Sequence, residues 1–166
     1  MKYAIVYSSQ TGNTKMLAEA IQNVLPKEGC VYFGEPDAMA LSAEKIYVGF
    51  WTDKGTCDTQ TADFLKKLTN QHVFLFGTAG FGVGKLYFDK VLQRTEKNIH
   101  KGVTVIGRFM CQGKMPMSVR RRYEKMQNGP IKIPNIQEMI DNFDQALLHP
   151  NVDDIAALTE SIQKEN

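Results

Sequence analysis

The chain has 166 residues, 43% hydrophobic and 23% charged, a balance that suits one packed domain and excludes a disordered or low-complexity protein. No apolar run approaches the roughly 20 residues needed to span a bilayer, and a net charge of +2 gives no reason to expect nucleic acid as a partner. Cys30, Cys57 and Cys111 are odd in number and form no CxxC pair, which excludes a disulfide framework and a zinc site and predicts reduced thiols.

The first apolar run, Lys2–Tyr7, is rich in aromatic and β-branched residues and apolar on both faces, as in a strand covered on two sides. It is too short for a signal peptide and no small-residue cleavage site follows, so a cytoplasmic protein is expected. After a polar loop, Met16, Leu17, Ala20, Ile21, Val24 and Leu25 form a helical stripe that Pro26 ends. Cys30–Phe33 and Ile46–Phe50 read as further strands. Asp58 is placed to cap a second helix marked by Phe64, Leu65 and Leu68. A fourth strand, Val73–Phe76, precedes a helix carrying Leu86, Tyr87, Val91 and Leu92, and a fifth, Val103–Ile106, follows Gly102. The remainder predicts three helices, Ser118–Gln127, Ile136–Leu148 and Val152–Gln163, the last two separated by His149-Pro150-Asn151. With no repeat and no linker, residues 1–166 are expected to form a single α/β domain: a doubly wound, five-stranded parallel sheet with extra C-terminal helices.

The loop after the first strand carries chemistry. Ser8-Ser9-Gln10-Thr11-Gly12-Asn13-Thr14 runs from a strand into a helix, where unpaired amides and the positive end of the helix dipole favour an anion. Gly12 lets the backbone curl closely around the anion, and Ser9, Thr11 and Thr14 supply hydroxyl donors to a group with several acceptor oxygens. A Walker loop would need Gly-Lys-Ser/Thr, and a dinucleotide fingerprint would need its three glycines here, whereas Gly80, Gly82 and Gly84 follow the fourth strand. The cysteine and arginine of a phosphatase loop are missing, as are the acidic residues of a response-regulator receiver. Ser9-Gln10-Thr11-Gly12-Asn13-Thr14 resembles the T/S-x-T-G-x-T phosphate loop of the flavodoxins.

That resemblance implies the sheet order 2-1-3-4-5, an FMN cofactor, and a flavin ring held by the loops after strands three and four. In the first of these, Trp51-Thr52-Asp53-Lys54-Gly55, Trp51 is the expected stacking partner of the ring. Flavodoxins place a glycine directly after the loop aromatic, to hydrogen-bond the reduced flavin N5. Thr52 stands there in this sequence, so the role is expected at Gly55. In the second loop, Thr78-Ala79-Gly80-Phe81-Gly82 offers backbone donors and acceptors to the pyrimidine edge, with Phe81 able to flank the ring or pack under the third helix. Asp53 and Asp58 are accompanied by Lys54 and Lys85, a less negative surrounding than flavodoxins provide, which should ease addition of the second electron. No residue is assigned a catalytic or metal-binding role.

The segment Gly107–Pro116 is expected to leave the fifth strand beside the flavin loop. Its Phe109-x-Cys111-x-Gly113-Lys114 stretch resembles a subset of bacterial flavodoxin-like proteins, some of them accessory to larger flavin enzymes. Charge is uneven here: Arg108, Lys114, Arg120, Arg121, Arg122, Lys125 and Lys132 face only Glu124, whereas the residues after Lys132 are mainly acidic. Lys114, Arg120, Arg121 and Arg122 form an expected rim that guides an acidic redox partner, or else a solvated helix face. Cys111 reads as part of that rim or as a buried small side chain. The resemblance implies an electron carrier between a reductase and a larger redox enzyme. A small FMN-dependent reductase acting on a quinone-like substrate and a flavin-free phosphate-binding module remain the alternatives.

Overall fold

A computed structural model describes residues 1–82 and 84–166. Its elements in chain order are β1 (Tyr3–Tyr7), α1 (Asn13–Val24), β2 (Cys30–Gly34), β3 (Lys45–Asp53), β4 (Thr56–Cys57), α2 (Thr59–Leu65), β5 (His72–Ala79), α3 (Lys85–Glu96), β6 (Thr104–Gln112), α4 (Met117–Gln127), α5 (Ile136–Ala146) and α6 (Val152–Lys164). The five long strands are parallel in the order β2-β1-β3-β5-β6. This is the expected 2-1-3-4-5 order, with one addition. The two-residue β4 pairs antiparallel with the end of β3, making a hairpin that an apolar-run reading does not detect.

Alternation along the strands builds a core on each face of the sheet. Ala4, Val6, Ile46, Val48, Val73 and Leu75 point to one side, where Phe64 and Leu65 of α2 and Val91 and Leu92 of α3 cover them. Tyr3, Ile5, Tyr47, Phe74 and Phe76 point to the other, under Leu17 and Ile21 of α1 and Leu158 and Ile162 of α6. Asp58 caps α2 as expected, its carboxylate accepting the Thr61 N–H at 3.1 Å and the Thr61 hydroxyl at 2.8 Å.

Three strands run further at their carboxyl ends than their apolar runs. β3 continues past Phe50 to Asp53, β5 past Phe76 to Ala79, and β6 past Ile106 to Gln112. The ladder continues because Phe76–Ala79 pair residue for residue with Phe109–Gln112. Side chains in these extensions face loops as well as core, so Gly77, Thr78 and Arg108 interrupt the hydrophobic signal without ending the strand. Consequently Arg108 and Cys111 lie on β6 and not in the loop expected to leave it.

Across β3 and β5 the sheet uses reciprocal glycine–aromatic pairs. Gly49 stands opposite Phe76 and Phe50 opposite Gly77. The Phe76 ring lies over Gly49 and the Phe50 ring over Gly77, so a β-carbon on either glycine would be driven into the facing ring. One ring fills each face of the sheet, just below the strand ends.

The C-terminal third divides into two parts. Helix α6 returns to the sheet beside α1, whereas α4 and α5 form a hairpin with its own small core of Tyr123, Ile140 and Phe143, joined by Met115, Val119 and Met126. Arg120 closes this hairpin. Its guanidinium donates to both carboxylate oxygens of Asp144, at 2.9 and 3.1 Å, and also to Glu124. That fork holds the Asp144 carboxyl below its ordinary value. Among the described residues, no helix is long and apolar enough to cross a membrane.

Replacing Gly77 with alanine should lower stability by about 1–3 kcal/mol, because the new methyl must displace a fully buried aromatic ring. Chemical denaturation of the wild type and variant checks this, and an unchanged midpoint would show that the Phe50 ring has somewhere to go.

Candidate functional site

The carboxyl ends of β1, β3 and β5 meet at the start of α1. The Ser8 N–H donates to the Gly49 carbonyl at 3.0 Å and keeps the chain on the sheet for one residue beyond β1. At Ser9 the chain then turns. The Ser9 hydroxyl oxygen accepts the N–H groups of Gly12 at 3.1 Å and Lys15 at 3.4 Å, which leaves its own proton to donate elsewhere. Gly12 caps α1 with φ +89°, in the left-handed region that favours glycine. The first helical amides, those of Asn13 and Thr14, have no carbonyl one turn earlier to receive them. No acidic residue stands in the first turn to offset the positive end of the dipole.

Thr14 is fully buried and its hydroxyl is committed. It donates to the Phe50 carbonyl at 3.1 Å and pairs with the Thr78 hydroxyl at 3.1 Å. With the Thr14 proton on Phe50, Thr78 is the donor within the pair. Thr14 therefore joins α1, β3 and β5 beneath the loop, a different use from the free donor expected of it. Asn13 is also buried. Its side-chain amide donates to the Lys114 carbonyl at 2.8 Å, while its buried Oδ1 accepts from no group among the described residues; Asn13 is one of the residues that line the cleft. A buried acceptor of this kind calls for a hydroxyl or water donor.

The cleft over these groups is lined by Ser9, Gln10, Thr11, Asn13 and Thr14, by Trp51 and Thr52, by Thr78 and Gly80, and by Gly113, Lys114, Met115 and Pro116. Three separately predicted segments thus converge. Trp51 is half-buried at the end of β3 opposite Thr78, and the Thr52 hydroxyl donates to the Thr78 carbonyl at 2.8 Å.

Other expected site residues lie off the cleft wall. Asp53 pairs with Thr56 across the β3–β4 hairpin, and Lys54 and Gly55 form its turn with φ of +51° and +82°. The Gly55 carbonyl accepts from Arg94 of α3 at 3.1 Å, so the backbone expected to serve a flavin N5 faces a helix instead. Ala79 is buried. Phe81 exposes 52% of its surface and so does not pack under α3. Gly82, with φ +82°, abuts the Tyr87 ring. Val83, in the same glycine-rich segment, lies outside the described residues. The local charges are also engaged: Asp58 caps α2, and Lys85 pairs with Asp89 at 2.6 Å.

The strap Gly113–Pro116, expected beside the flavin loop with Lys114 at the rim, forms a wall of the cleft itself. Its Gly113 N–H donates to the Ala79 carbonyl at 3.1 Å, and its Lys114 N–H to the His149 carbonyl at 3.0 Å. The Lys114 carbonyl accepts from Asn13 and, at 3.4 Å, from the Thr11 hydroxyl. Met115 packs directly on Gly80, whose carbonyl accepts from Gln112 at 3.2 Å and from Asn142 of α5 at 3.1 Å. The strap thus crosses from the β5 loop to the start of α1. A β-carbon on Gly113 would fall 2.5 Å from the Asn13 amide nitrogen, so only glycine permits the crossing. In this arrangement the cleft encloses about 70 Å³. That holds roughly two waters, well below the several hundred Å³ of ordinary organic-ligand pockets. In the sequence the strap was signalled by its place after the fifth strand and by the Phe109-x-Cys111-x-Gly113-Lys114 stretch. Cys111, expected as a possible rim thiol, is instead buried on β6, where burial pushes the thiol pKa up.

Comparison with known proteins gives a consistent picture. The flavodoxin domain family matches residues 4–163. The chain is 42% identical to a flavodoxin-like domain-containing protein, BilS, of Clostridium symbiosum, over 95% of this chain and 92% of that one. It is 29% identical to the BilS of Clostridioides difficile, over 93% and 90%. Among solved structures, a short-chain flavodoxin associated with a non-canonical PDU bacterial microcompartment superimposes with TM-score 0.53 at 19% identity, covering 89% of this chain and 97% of the other. Oxidised flavodoxin 2 from Bacillus cereus gives 0.52 at 18%, covering 87% and 99%. These structural likenesses show the fold.

Thr14→Val keeps the shape of the side chain but removes the hydroxyl's bond to the Phe50 carbonyl and the partner of Thr78. It should cost about 1–3 kcal/mol in protein stripped of any ligand, measured by denaturation. A loss seen only with ligand present would mean the hydroxyl serves the ligand and not the frame. Thiol titration of the folded protein at about pH 8 should find half-buried Cys30 reactive and Cys57 and Cys111 protected until denaturation. Modification of Cys111 in the native protein would contradict its burial.

Proposed function

This chain belongs to the flavodoxin domain family, and from that premise we propose that it binds one FMN without a covalent link and carries electrons between a reductase and a larger redox enzyme. One observation carries this reading. A single cleft holds the open amides of α1, an unmet buried acceptor at Asn13 and a half-buried tryptophan. The donor set suits a sugar phosphate. The Asn13 and Thr14 amides and the Ser9 hydroxyl can donate to a phosphate, and Asn13 Oδ1 can accept from a hydroxyl of the ribityl chain. Gly12 lets the loop backbone approach, while Gln10 and Thr11 complete its outer edge. Trp51 offers an aromatic face to the ring, and Thr52, Thr78 and Gly80 line the wall beside it.

When bound, FMN supplies the redox chemistry; the chain's own residues bind, orient and shield. A cleft of about 70 Å³ admits the phosphate end as it stands. Met115, packed on Gly80, forms part of the wall of this cleft. Three cysteines without a disulfide accord with action in the cytoplasm.

Purified protein reconstituted with FMN should be yellow and bind one equivalent. Ser9→Ala should weaken FMN binding by about 1.5–3 kcal/mol, roughly ten- to a hundredfold in Kd, while leaving riboflavin nearly unaffected. Trp51 emission should be quenched on loading and return on flavin removal. A colourless protein, or equal weakening of FMN and riboflavin, would overturn the phosphate assignment. Steady NAD(P)H oxidation with quinones and no added reductase would favour the enzyme reading instead.

A further inference from the structure

The basic segment after β6 splits into two sets of charges. Arg120 is engaged inside the hairpin by Asp144 and Glu124, so it belongs to the frame. Arg121, Arg122 and Lys125 are exposed and form no ion pair among the described residues; Arg122 lies 5.9 Å from the centre of the Tyr123 ring. Spacings of three and four put Arg121, Arg122 and Lys125 on one helix face, together with Ser118 and Asn128, along an open groove. The opposite face, through Val119, Tyr123 and Met126, packs on α5.

This stripe starts at the cleft. Pro116 both lines the cleft and caps α4, and Ser118 follows two residues later. At 1.5 Å per residue the stripe extends about 10 Å along the helix to Lys125, comparable to the Debye length of about 10 Å in 0.1 M salt. The hairpin is also fastened to the cleft wall. Met115 belongs to the hairpin core and packs on Gly80, and Asn142 of α5 donates to the Gly80 carbonyl.

We propose that Arg121, Arg122 and Lys125, with Lys114 at the cleft rim, form a docking surface for the acidic face of a redox partner protein, which the hairpin holds beside the cofactor cleft. The inference rests on the FMN-carrier reading above and adds the sign and position of the docking face. Charge complementarity selects the occupant. A nucleic acid fits less well, because the stripe is short, Glu124 lies beside it, and none of the residues that line the groove is aromatic.

The test uses FMN-loaded full-length protein, its loading verified by visible absorbance, then reduced and mixed by stopped flow with ferric cytochrome b5, whose haem face is acidic, or ferric cytochrome c, whose haem face is basic. Each haem iron gains the one electron that the reduced flavin loses. Reduction of cytochrome b5 should slow about tenfold between low salt and 0.3 M salt. Arg121→Glu/Arg122→Glu/Lys125→Glu should abolish that salt dependence, slow the low-salt rate about tenfold and speed reduction of cytochrome c, with FMN absorbance unchanged. The neutral variant Arg121→Gln/Arg122→Gln/Lys125→Gln should fall between. Salt-insensitive reduction of cytochrome b5, or rates unaltered in both variants, would overturn the docking surface while leaving FMN binding intact. So would a stripe whose charge reversal affects only the binding of a single-stranded oligonucleotide, which would make it a nucleic-acid surface. Failure to load FMN would overturn the carrier reading and the inference with it.

Discussion

The buried hydroxyl of Thr14 is the point on which the site depends. A hydroxyl removed from water costs stability unless both its donor and its acceptor capacities are used. Here they are, with the Phe50 carbonyl taking its proton and Thr78 supplying one. The start of α1 is thereby set against the ends of β3 and β5. That fixed start leaves the Asn13 and Thr14 amides without a carbonyl one turn earlier, Ser9 with a proton to give, and Trp51 lining the same cleft. An anion-binding helix start on a mobile tether would have to be ordered by its ligand; this one is ordered by the sheet.

Below that tie the strand ends are locked by shape. Phe50 over Gly77 and Phe76 over Gly49 place one ring on each face of the sheet at adjacent rungs. The two cores therefore reach full packing directly under the cleft floor, and Trp51 and Thr78 follow on the next rung. Above the tie, the strap is fastened from several sides: Gly113 to Ala79 of β5, Lys114 to His149 and to Asn13 and Thr11, and Met115 to Gly80 and the hairpin core. It therefore links the β5 loop, the start of α1 and the C-terminal helices over one cleft.

The α4–α5 hairpin gives this flavodoxin fold its own character. It comes between β6 and α6, carries a separate small core, and shares Met115 with the cleft. Arg120 spends its charge inside the hairpin, which leaves the neighbouring Arg121, Arg122 and Lys125 to set the sign of the outer surface. Charges that lie next to one another in sequence thus have different physical duties, decided by which side of the helix meets α5.

Much of this was legible in the sequence. Strand–helix alternation, apolar character on both strand faces, the Asp58 cap and the Ser9–Thr14 loop follow from local propensity and periodicity, which act over a few residues and survive in any fold that uses them. The resemblance of that loop to the flavodoxins and the break before α6 were readable for the same reason, and the strand order was what that resemblance implied. The rest depended on distant residues meeting. The carboxyl ends of β3, β5 and β6 extend past their apolar runs because ladder hydrogen bonds, which ignore side-chain polarity, continue there. Asp53 to Gly55 leave the cleft because β4 folds back on β3. Thr14 turns inward because Phe50 and Thr78 await its hydroxyl, and Arg120 because Asp144 stands opposite it 24 residues later. The strap closes over the loop because Gly113 lets Asn13 approach within a distance no side chain would permit. Sequence determined which residues can bind and fold locally; tertiary packing alone decided which of their polar groups were already spoken for.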